Sequence, residues 1–316
     1  MNTDMKKTER EAKDYKVFLC EPIHPAALDR LRCRAEIISD ISRLAEIDAA
    51  INRNIKMDRD WLLRCPRLKV IGIHGTGTDD VDMEAAAELG IRVTNTPGEN
   101  SRSVSELIVA LSLSLARRLP ILDREIRAGA RCTVGGDVPG AELYGKVFGT
   151  VGCGNVGAGA ARILRDGFGM KTIAYSPSLT DERAAVLGLE RCTGLEELFE
   201  RSDIISVNVP LNESTRGMIN AELFSQARQG SIFINTSRGA VIDERALYEA
   251  LVSGKPAAAA CDVFVAEPPT LENPLTSLPN FLATPHIGAN TDDALLRVGM
   301  KTADNVLTIL DEIYKQ

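Results

Sequence analysis

At 316 residues the chain suits two domains of about 150 residues each, and its 44% hydrophobic content gives material for two buried cores. A formal charge of −7 argues against a nucleic-acid surface, where basic patches dominate, but not against a small anionic substrate, whose site sets its own local field. Seven scattered cysteines (Cys20, Cys33, Cys65, Cys132, Cys153, Cys192 and Cys261) include no Cys-x-x-Cys pair, which excludes a disulfide framework and a zinc site and suits free thiols in a reducing cytoplasm.

Residues 1–16 are polar and charged, lack the apolar core of a signal peptide, and read as a partly disordered leader. A strand is predicted at 17–19, a helix over 25–32, a second strand at 36–39 and a further amphipathic segment after it. The run 68–73 is continuously apolar and ends in glycines, as a strand buried on both faces does. An alanine-rich helix over 83–89 is stopped by Gly90, and 91–94 returns to strand. Strands alternating with helices imply right-handed crossovers and a parallel sheet.

Turn residues take over at 95–100, punctuated by Pro97-Gly98. Ser103-Val104-Ser105-Glu106 has the spacing of a capping box, so a helix is expected to begin there. That helix is apolar almost all round and should be buried, with Arg117 and Arg118 at its negative C-terminal end. Its apolar stretch, 104–116, is the longest in the chain, yet it is serine-rich and short of the roughly 20 residues a bilayer span needs. Pro120 stops it or begins the next helix, and the segment reads as a hinge between domains.

A second series of strands is predicted at 147–151, 172–175, 204–209, 231–234, 257–261 and 281–283, with helical material between most of them, as a doubly wound dinucleotide fold requires. A last helix begins near Thr291, with Asp292 and Asp293 in its positive first turn and Leu295, Val298, Val306, Leu307 and Leu310 along one face. It is expected to fold back onto the first domain. The fold class is therefore α/β, with two doubly wound parallel-sheet domains and a cleft between them. Residues 101–287 form a Rossmann dinucleotide-binding domain, and 1–100 with 288–316 a discontinuous, flavodoxin-like substrate domain.

Gly152-Cys153-Gly154-Asn155-Val156-Gly157 places Gly-x-Gly-x-x-Gly between a strand and a helix, where glycines permit a tight turn and bring backbone N–H groups to a pyrophosphate. Glycine turns also arise wherever a helix packs closely on a sheet; the strand before and helix after are what point to a dinucleotide. The acid expected after the next strand is missing. Tyr175 is followed by Ser176, Pro177 and Ser178, where Asp or Glu would grip the ribose 2′-hydroxyl. Serine removes the repulsion that excludes a 2′-phosphate, yet Arg183 is the nearest arginine to bind one. NAD is the expected cofactor, with NADP open.

Only His24, His74 and His286 can supply the near-neutral proton acceptor that a metal-free alcohol dehydrogenase needs. His24 lies between prolines after the first strand and reads as a surface or turn residue. His74, in Gly72-Ile73-His74-Gly75-Thr76-Gly77, ends a buried strand. His286, in Thr284-Pro285-His286-Ile287-Gly288, follows the last strand and is the preferred base, with His74 facing substrate. Arg238 follows a strand, where its guanidinium can clamp a carboxylate, and Asp262 and Glu267 follow another. Singly, Arg238 reads equally as a surface ion-pair partner, Glu267 as a turn residue and His286 as a core histidine. Their joint order after successive strands favours a site.

The segments "GIHGTGTDDVD", "NTPGENSRSVSEL", "GKVFGTVGCGNVG", "FINTSRGAVIDERAL", "AACDVFVAEP" and "TPHIGA" together resemble the D-isomer-specific 2-hydroxyacid dehydrogenases, the family of phosphoglycerate, glycerate and D-lactate dehydrogenases, from about Val17 onward. The resemblance implies hydride transfer between NAD(P) and a small D-2-hydroxy or 2-oxo acid in a cytoplasmic homodimer. It makes Arg238 the binder of substrate carboxylate and carbonyl oxygen, His286 the acid/base, and Glu267 the carboxylate that orients the imidazole and favours its cation. Cofactor contacts fall to Gly152, Gly154, Asn155, Val156, Gly157, Ser176, Asn208, Pro210, Thr236 and Asp262, the last as holder of the nicotinamide carboxamide. His74, Gly75, Thr76 and Gly77 would meet substrate, with the amides of 75–78 as a nest for its carboxylate.

Ser176 departs from a frequent family Asp, Asn208 from a frequent histidine, and 131–140 lacks aromatics often found there. No further domain follows the last helix, so serine feedback is not expected. Two alternatives stand beside this reading. One is a phosphite-type dehydrogenase on the same fold, the formate type being disfavoured because its members carry glutamine where Glu267 stands. The other is a dinucleotide-sensing binding protein similar to the corepressors of the family.

Overall fold

The computed structural model describes residues 14–129 and 139–314. Its first strand, β1 (Tyr15–Leu19), begins two residues before the expected start, because the Tyr15 ring is buried and its hydroxyl donates to Asp311 at 2.5 Å. The leader reading is corrected for residues 15 and 16; residues 1–13, and most of the aromatic-poor segment 131–140, lie outside the described residues. α1 (Pro25–Arg32) is capped by His24, whose Nδ1 accepts from the Ala26 amide at 3.2 Å. β2 (Ala35–Ile38) and a 3-10 turn (Ile41–Glu46) lead to β3 (Ala49–Asn52), α2 (Arg59–Leu63), β4 (Val70–Ile73), α3 (Met83–Glu88) and β5 (Arg92–Thr94). β3 and α2 were not foreseen. β3 is four residues long with two alanines, too little apolar volume to mark a strand, although all four residues are buried.

These strands form one parallel sheet in the order β2-β1-β3-β4-β5, the flavodoxin-like arrangement. Parallel strands are covered by helices on both faces, which is why β3 and β4 are buried along their whole length. Phe18, Trp61, Leu62, Ile71 and Ile73 fill one face.

The chain then enters α4 (Ser101–Ala116) and α5 (Leu119–Arg127). The capping box is corrected: α4 begins at Ser101 after Asn100, with no side-chain cap. Ser103 lies inside the helix and hydrogen-bonds Thr291 at 3.1 Å, and Glu106 accepts from Arg102 at 3.0 Å. The Ser105 hydroxyl donates to Ser101 and Val156 carbonyls, at 2.8 and 3.0 Å, so this serine serves a close helix–helix approach.

There follow β6 (Val147–Val151), α6 (Asn155–Phe168), β7 (Lys171–Tyr175), α7 (Asp181–Leu187), β8 (Glu190–Arg191), α8 (Leu195–Arg201), β9 (Ile204–Val207), α9 (Ala221–Gln226), β10 (Ile232–Asn235), α10 (Glu244–Ser253), β11 (Ala258–Cys261) and β12 (Phe281–Ala283). They make a seven-stranded parallel sheet, β12-β11-β10-β9-β6-β7-β8, whose order reverses between β6 and β9. That is the doubly wound dinucleotide topology with an added edge strand. Two-residue β8 was not expected. β9 ends two residues before the expected 209, its last bond to β6 running from the Asn208 amide to the Val151 carbonyl at 2.8 Å. Phe199, Phe224 and Phe233 pack together in its core, the last two edge-to-face at 5.1 Å.

α11 (Asp292–Tyr314) closes the chain. Val298, Val306, Leu307 and Leu310 are buried on it, and Leu295 is half-buried. Among described residues, those up to Glu99 and from Asp292 form one compact unit, and those from Asn100 to Thr291 the other. No helix in either is long and apolar enough to cross a membrane.

Candidate active site

In the Asn100–Thr291 unit, every chemical motif follows the carboxyl end of a parallel strand. The glycine turn follows β6, Ser176 follows β7, Asn208 follows β9, Thr236 and Arg238 follow β10, Asp262 and Glu267 follow β11, and His286 follows β12. Successive parallel strands deliver these residues to one edge of the sheet, the edge where open α/β sheets hold ligands.

Glu267 and His286 form the centre. The Nδ1 of His286 lies 2.7 Å from Glu267 Oε2, while Oε1 accepts from the Phe264 amide at 2.9 Å. Burial pushes the Glu267 carboxyl up, but hydrogen bonds from His286 and the Phe264 amide, with the charges of His286 and Arg238, outweigh it and hold the carboxyl below its ordinary value. An ionised carboxylate only accepts, so Nδ1 carries the hydrogen and Nε2 is left for proton exchange. Both side chains keep access to solvent, His286 at 40% and Glu267 at 34% exposure.

His286 sits in the left-handed region at φ 53, unusual for a non-glycine residue. Buried Asp262 holds it there. Its Oδ1 accepts from the Thr284 hydroxyl at 2.6 Å and the Ile287 amide at 2.8 Å, and its Oδ2 from the Gly288 amide at 2.8 Å. Its own carbonyl accepts from the His286 amide at 2.8 Å. A carboxylate offers about four acceptor positions, and this loop takes three of them.

Arg238 Nη1 donates to the Ser237 carbonyl at 2.9 Å, and Asn235 Nδ2 donates to the Arg238 carbonyl at 3.0 Å. Next to it, Gly239 packs so tightly that a Cβ there would collide with the Phe264 carbonyl group. This close approach joins the arginine loop to the loop bearing Glu267.

The glycine turn fits a dinucleotide. Gly152 has φ +89, and a Cβ on it would stand 2.6 Å from the Asn208 carbonyl oxygen. Gly154 has open space beside it and caps α6 without a side-chain hydrogen bond, leaving room for a pyrophosphate at the helix N-terminus. The Gly152 amide donates to the Tyr175 carbonyl at 2.8 Å, which sets Ser176 beside the turn. Asn208 Nδ2 donates to Thr150 Oγ1 at 3.0 Å and to Ser206. Its Oδ1 and the Thr236 hydroxyl are buried without a partner among the described residues, polar atoms suited to a bound polar ligand.

In the other unit, His74 follows β4, and its amide donates to the Asn52 carbonyl at 2.7 Å. It is 7% exposed, with Nε2 buried and unpartnered among the described residues. Burial, with the charge of Arg53, pushes its imidazole down to about 4. Gly75 and Thr76 follow, their carbonyls accepting from Thr96 and from Asn95 Nδ2. Arg53, just after β3, was not singled out in the sequence, because that strand carried no apolar pattern to mark it. Its loop is fixed by Glu21, which accepts from the Arg53 and Asn54 amides at 3.1 and 2.8 Å. Thr284, Gly288 and Gly239 were also missed as supports of the site, and only the small residue beside Arg238 hinted at one.

Residues 109–288 match the family model described as "D-isomer specific 2-hydroxyacid dehydrogenase, NAD binding domain". A D-3-phosphoglycerate dehydrogenase of Archaeoglobus fulgidus is 37% identical over 306 residues, covering 93% of this chain. The chain spans only 57% of that relative's length. A hydroxypyruvate reductase of Thermotoga maritima is 38% identical over 304 residues, covering 92% of this chain and 97% of the relative. Among solved structures, a D-lactate dehydrogenase of Aquifex aeolicus complexed with NAD and lactic acid superposes with a TM-score of 0.83 at 27% identity, covering 95% of this chain and 96% of that one. The TT0316 protein of Thermus thermophilus gives 0.84 at 32% identity, covering 94% and 97%. A family model over more than half of the chain, and a relative matched along nearly its whole length, place this protein among the D-isomer specific 2-hydroxyacid dehydrogenases.

Proposed function

We propose that the chain interconverts a small D-2-hydroxy acid and its 2-oxo acid with NAD, using Arg238, Glu267 and His286 as the catalytic set. The observation that carries the reading is the 2.7 Å Glu267–His286 contact on the sheet edge that also bears Arg238 and the glycine turn. Bound NAD supplies the hydride acceptor for oxidation and, reduced, the donor for reduction. Glu267 holds the imidazole in the tautomer with Nδ1 protonated, so that Nε2 takes the hydroxyl proton in oxidation and returns it in reduction. Arg238 binds the substrate carboxylate and offsets charge developing on its reacting oxygen. His74 and the amides after it, Gly75, Thr76 and Gly77, are read as the carboxylate nest, with Arg53 adding a cation to the same loops.

Gly152, Gly154, Asn155, Val156 and Gly157 are the residues to hold the pyrophosphate, with Ser176, Asn208, Pro210, Thr236 and Asp262 along the rest of the cofactor. The unit that contains His74 is the substrate-binding domain in this reading. The six described cysteines are free thiols, in keeping with a cytoplasmic location.

The test is an absorbance assay of reduced nicotinamide against glyoxylate, hydroxypyruvate and phosphohydroxypyruvate. Wild type is expected to turn over at least one, and His286→Ala to lose about 10²- to 10⁴-fold in kcat while its Kd for NADH stays unchanged. Undiminished turnover by the variant would remove His286 from the mechanism, and no turnover by wild type across the panel would defeat the reading.

A further inference from the structure

We infer that Glu244, the first residue of α10, is a positioning residue for the reaction: its carboxylate clasps the loop that carries Glu267 and so keeps that side chain against His286. The inference rests on the proposed roles of Glu267 and His286 and adds a residue to them.

The loop between β11 and β12 has little burial to hold it. Phe264 and Leu275 are buried, but 265–268 and 270–272, Glu267 among them, are exposed. Pro268, Pro269 and Pro274 have no amide hydrogen to donate. The Glu272 and Asn273 amides donate to Thr270 at 3.3 and 3.1 Å, which shapes the tip of the loop without tying it to the sheet. Glu244 ties it from outside. Its Oε1 accepts from the Val265 amide at 2.7 Å and its Oε2 from Asn273 Nδ2 at 2.9 Å. Asn273 cannot turn its amide round without loss, because its Oδ1 accepts from the Leu275 amide at 3.1 Å. A carboxylate, which offers two acceptor oxygens and no hydrogen, is the group that suits two such donors.

The helix does not need Glu244 for itself. Asp243 caps α10, its Oδ1 accepting from the Arg245 and Ala246 amides at 3.0 Å each, and leaves the Glu244 side chain to reach 21 and 29 residues along the chain. The clasp sits beside a second fastening. Gly239 lies so close to the Phe264 carbonyl that a Cβ would overlap it, and the Phe264 amide donates to Glu267 Oε1 at 2.9 Å. Gly239 and Glu244 therefore hold consecutive residues, Phe264 and Val265, to the segment 238–244 that begins with Arg238. The arginine and the carboxylate are set from one short piece of chain, and the approach of Glu267 to His286 depends on it.

The test is proton–nitrogen NMR of the three histidine rings at about pH 9, where an ordinary imidazole is neutral, with His286→Asn to identify the His286 signal. Beside it, kcat is measured on the 2-oxo acid that wild type reduces. Wild type should hold His286 with its hydrogen on Nδ1. Glu244→Ala should show both tautomers, and its kcat should fall at least about tenfold while its Kd for NADH stays unchanged. Glu244→Gln keeps an acceptor for Val265 but turns a donor toward Asn273, and should fall between the two in both readings. A kcat in Glu244→Ala within about twofold of wild type, or an unchanged His286 tautomer, overturns the inference while Glu267 and His286 keep their roles. If Glu244→Ala does not bind NADH, Glu244→Gln decides on the same criteria. A wild type that turns over no 2-oxo acid, or whose His286 carries no hydrogen on Nδ1, overturns the reading beneath and the inference with it.

Discussion

His74 shows how burial, helped by a neighbouring charge, decides a protonation state. Its imidazole is 7% exposed, and burial with the nearby Arg53 charge lowers it from the ordinary 6.5 to about 4. The unfolded chain then takes up a proton near pH 6.5 that the folded chain refuses until about pH 4. The stability this residue contributes is whole above pH 6.5 and is lost as pH falls through 4, a change on the order of 3 kcal/mol across the window. His74→Asn should lack that part of the acid sensitivity, seen as a smaller difference between urea unfolding at pH 7 and at pH 4.5. Equal differences in the two proteins would show that His74 does not titrate this way. Residues of this kind were legible as candidates because histidines are scarce and this one ends an apolar run. Arg53 was not, because its strand carried no recognisable pattern, and its neighbourhood exists only once β3 has paired between β1 and β4.

At the scale of elements, consecutive loops on one sheet edge hold each other. Asp262, after β11, accepts three hydrogen bonds from the loop after β12 and so keeps His286 at φ 53, a conformation that costs a non-glycine residue about 1–3 kcal/mol unless its surroundings impose it. Asp262→Asn can accept through only one oxygen, and its amide nitrogen would oppose a donor. We expect the loop to relax, with kcat falling by about 10²-fold from misplacement of His286 and a lower melting temperature. If kcat and melting temperature both match wild type, the clamp is not what positions the histidine. Such support was invisible in the sequence, where Asp262 stands beside Val263 and gives no sign of the loop 22 to 26 residues later that it binds. The strands themselves were legible because parallel strands buried on both faces read as apolar runs, whereas alanine-rich β3 and two-residue β8 offered too little apolar contrast. The start of α4 was misplaced for a related reason: Ser103 and Ser105 look like caps, but they are small residues that let one helix approach its neighbours.

For the whole molecule, the homodimer that the family resemblance implies needs a surface to form through, and α5 offers one that the single chain leaves uncovered among its described residues. None of the residues of α5 is buried, although Leu119, Leu122 and Ile126 recur at helical spacing on it. Leu119 is 53% exposed, Ile126 64%, and Tyr144, beyond the helix, 80%. A helix with an apolar stripe and no core against it calls for a partner surface. We propose a second copy of the chain as the occupant, in line with the homodimer that the family resemblance implies and with the self-complementarity a two-fold interface requires. Asp123 and Arg127 pair with each other along α5 at 2.8 Å, while Arg124 and Glu125 give a helix laid antiparallel on its own copy base and acid to bring together beside a shared apolar stripe. The direct trial is Ile126→Glu, which would bury a carboxylate in that stripe at a cost of several kcal/mol. Sedimentation of wild type should give the mass of two chains. The variant, read beside it at the same concentration, should give the mass of one, a rise in dimer Kd of at least about 10²-fold. A wild type that sediments as a single chain, or a variant that still pairs, would show that α5 is not where two copies meet.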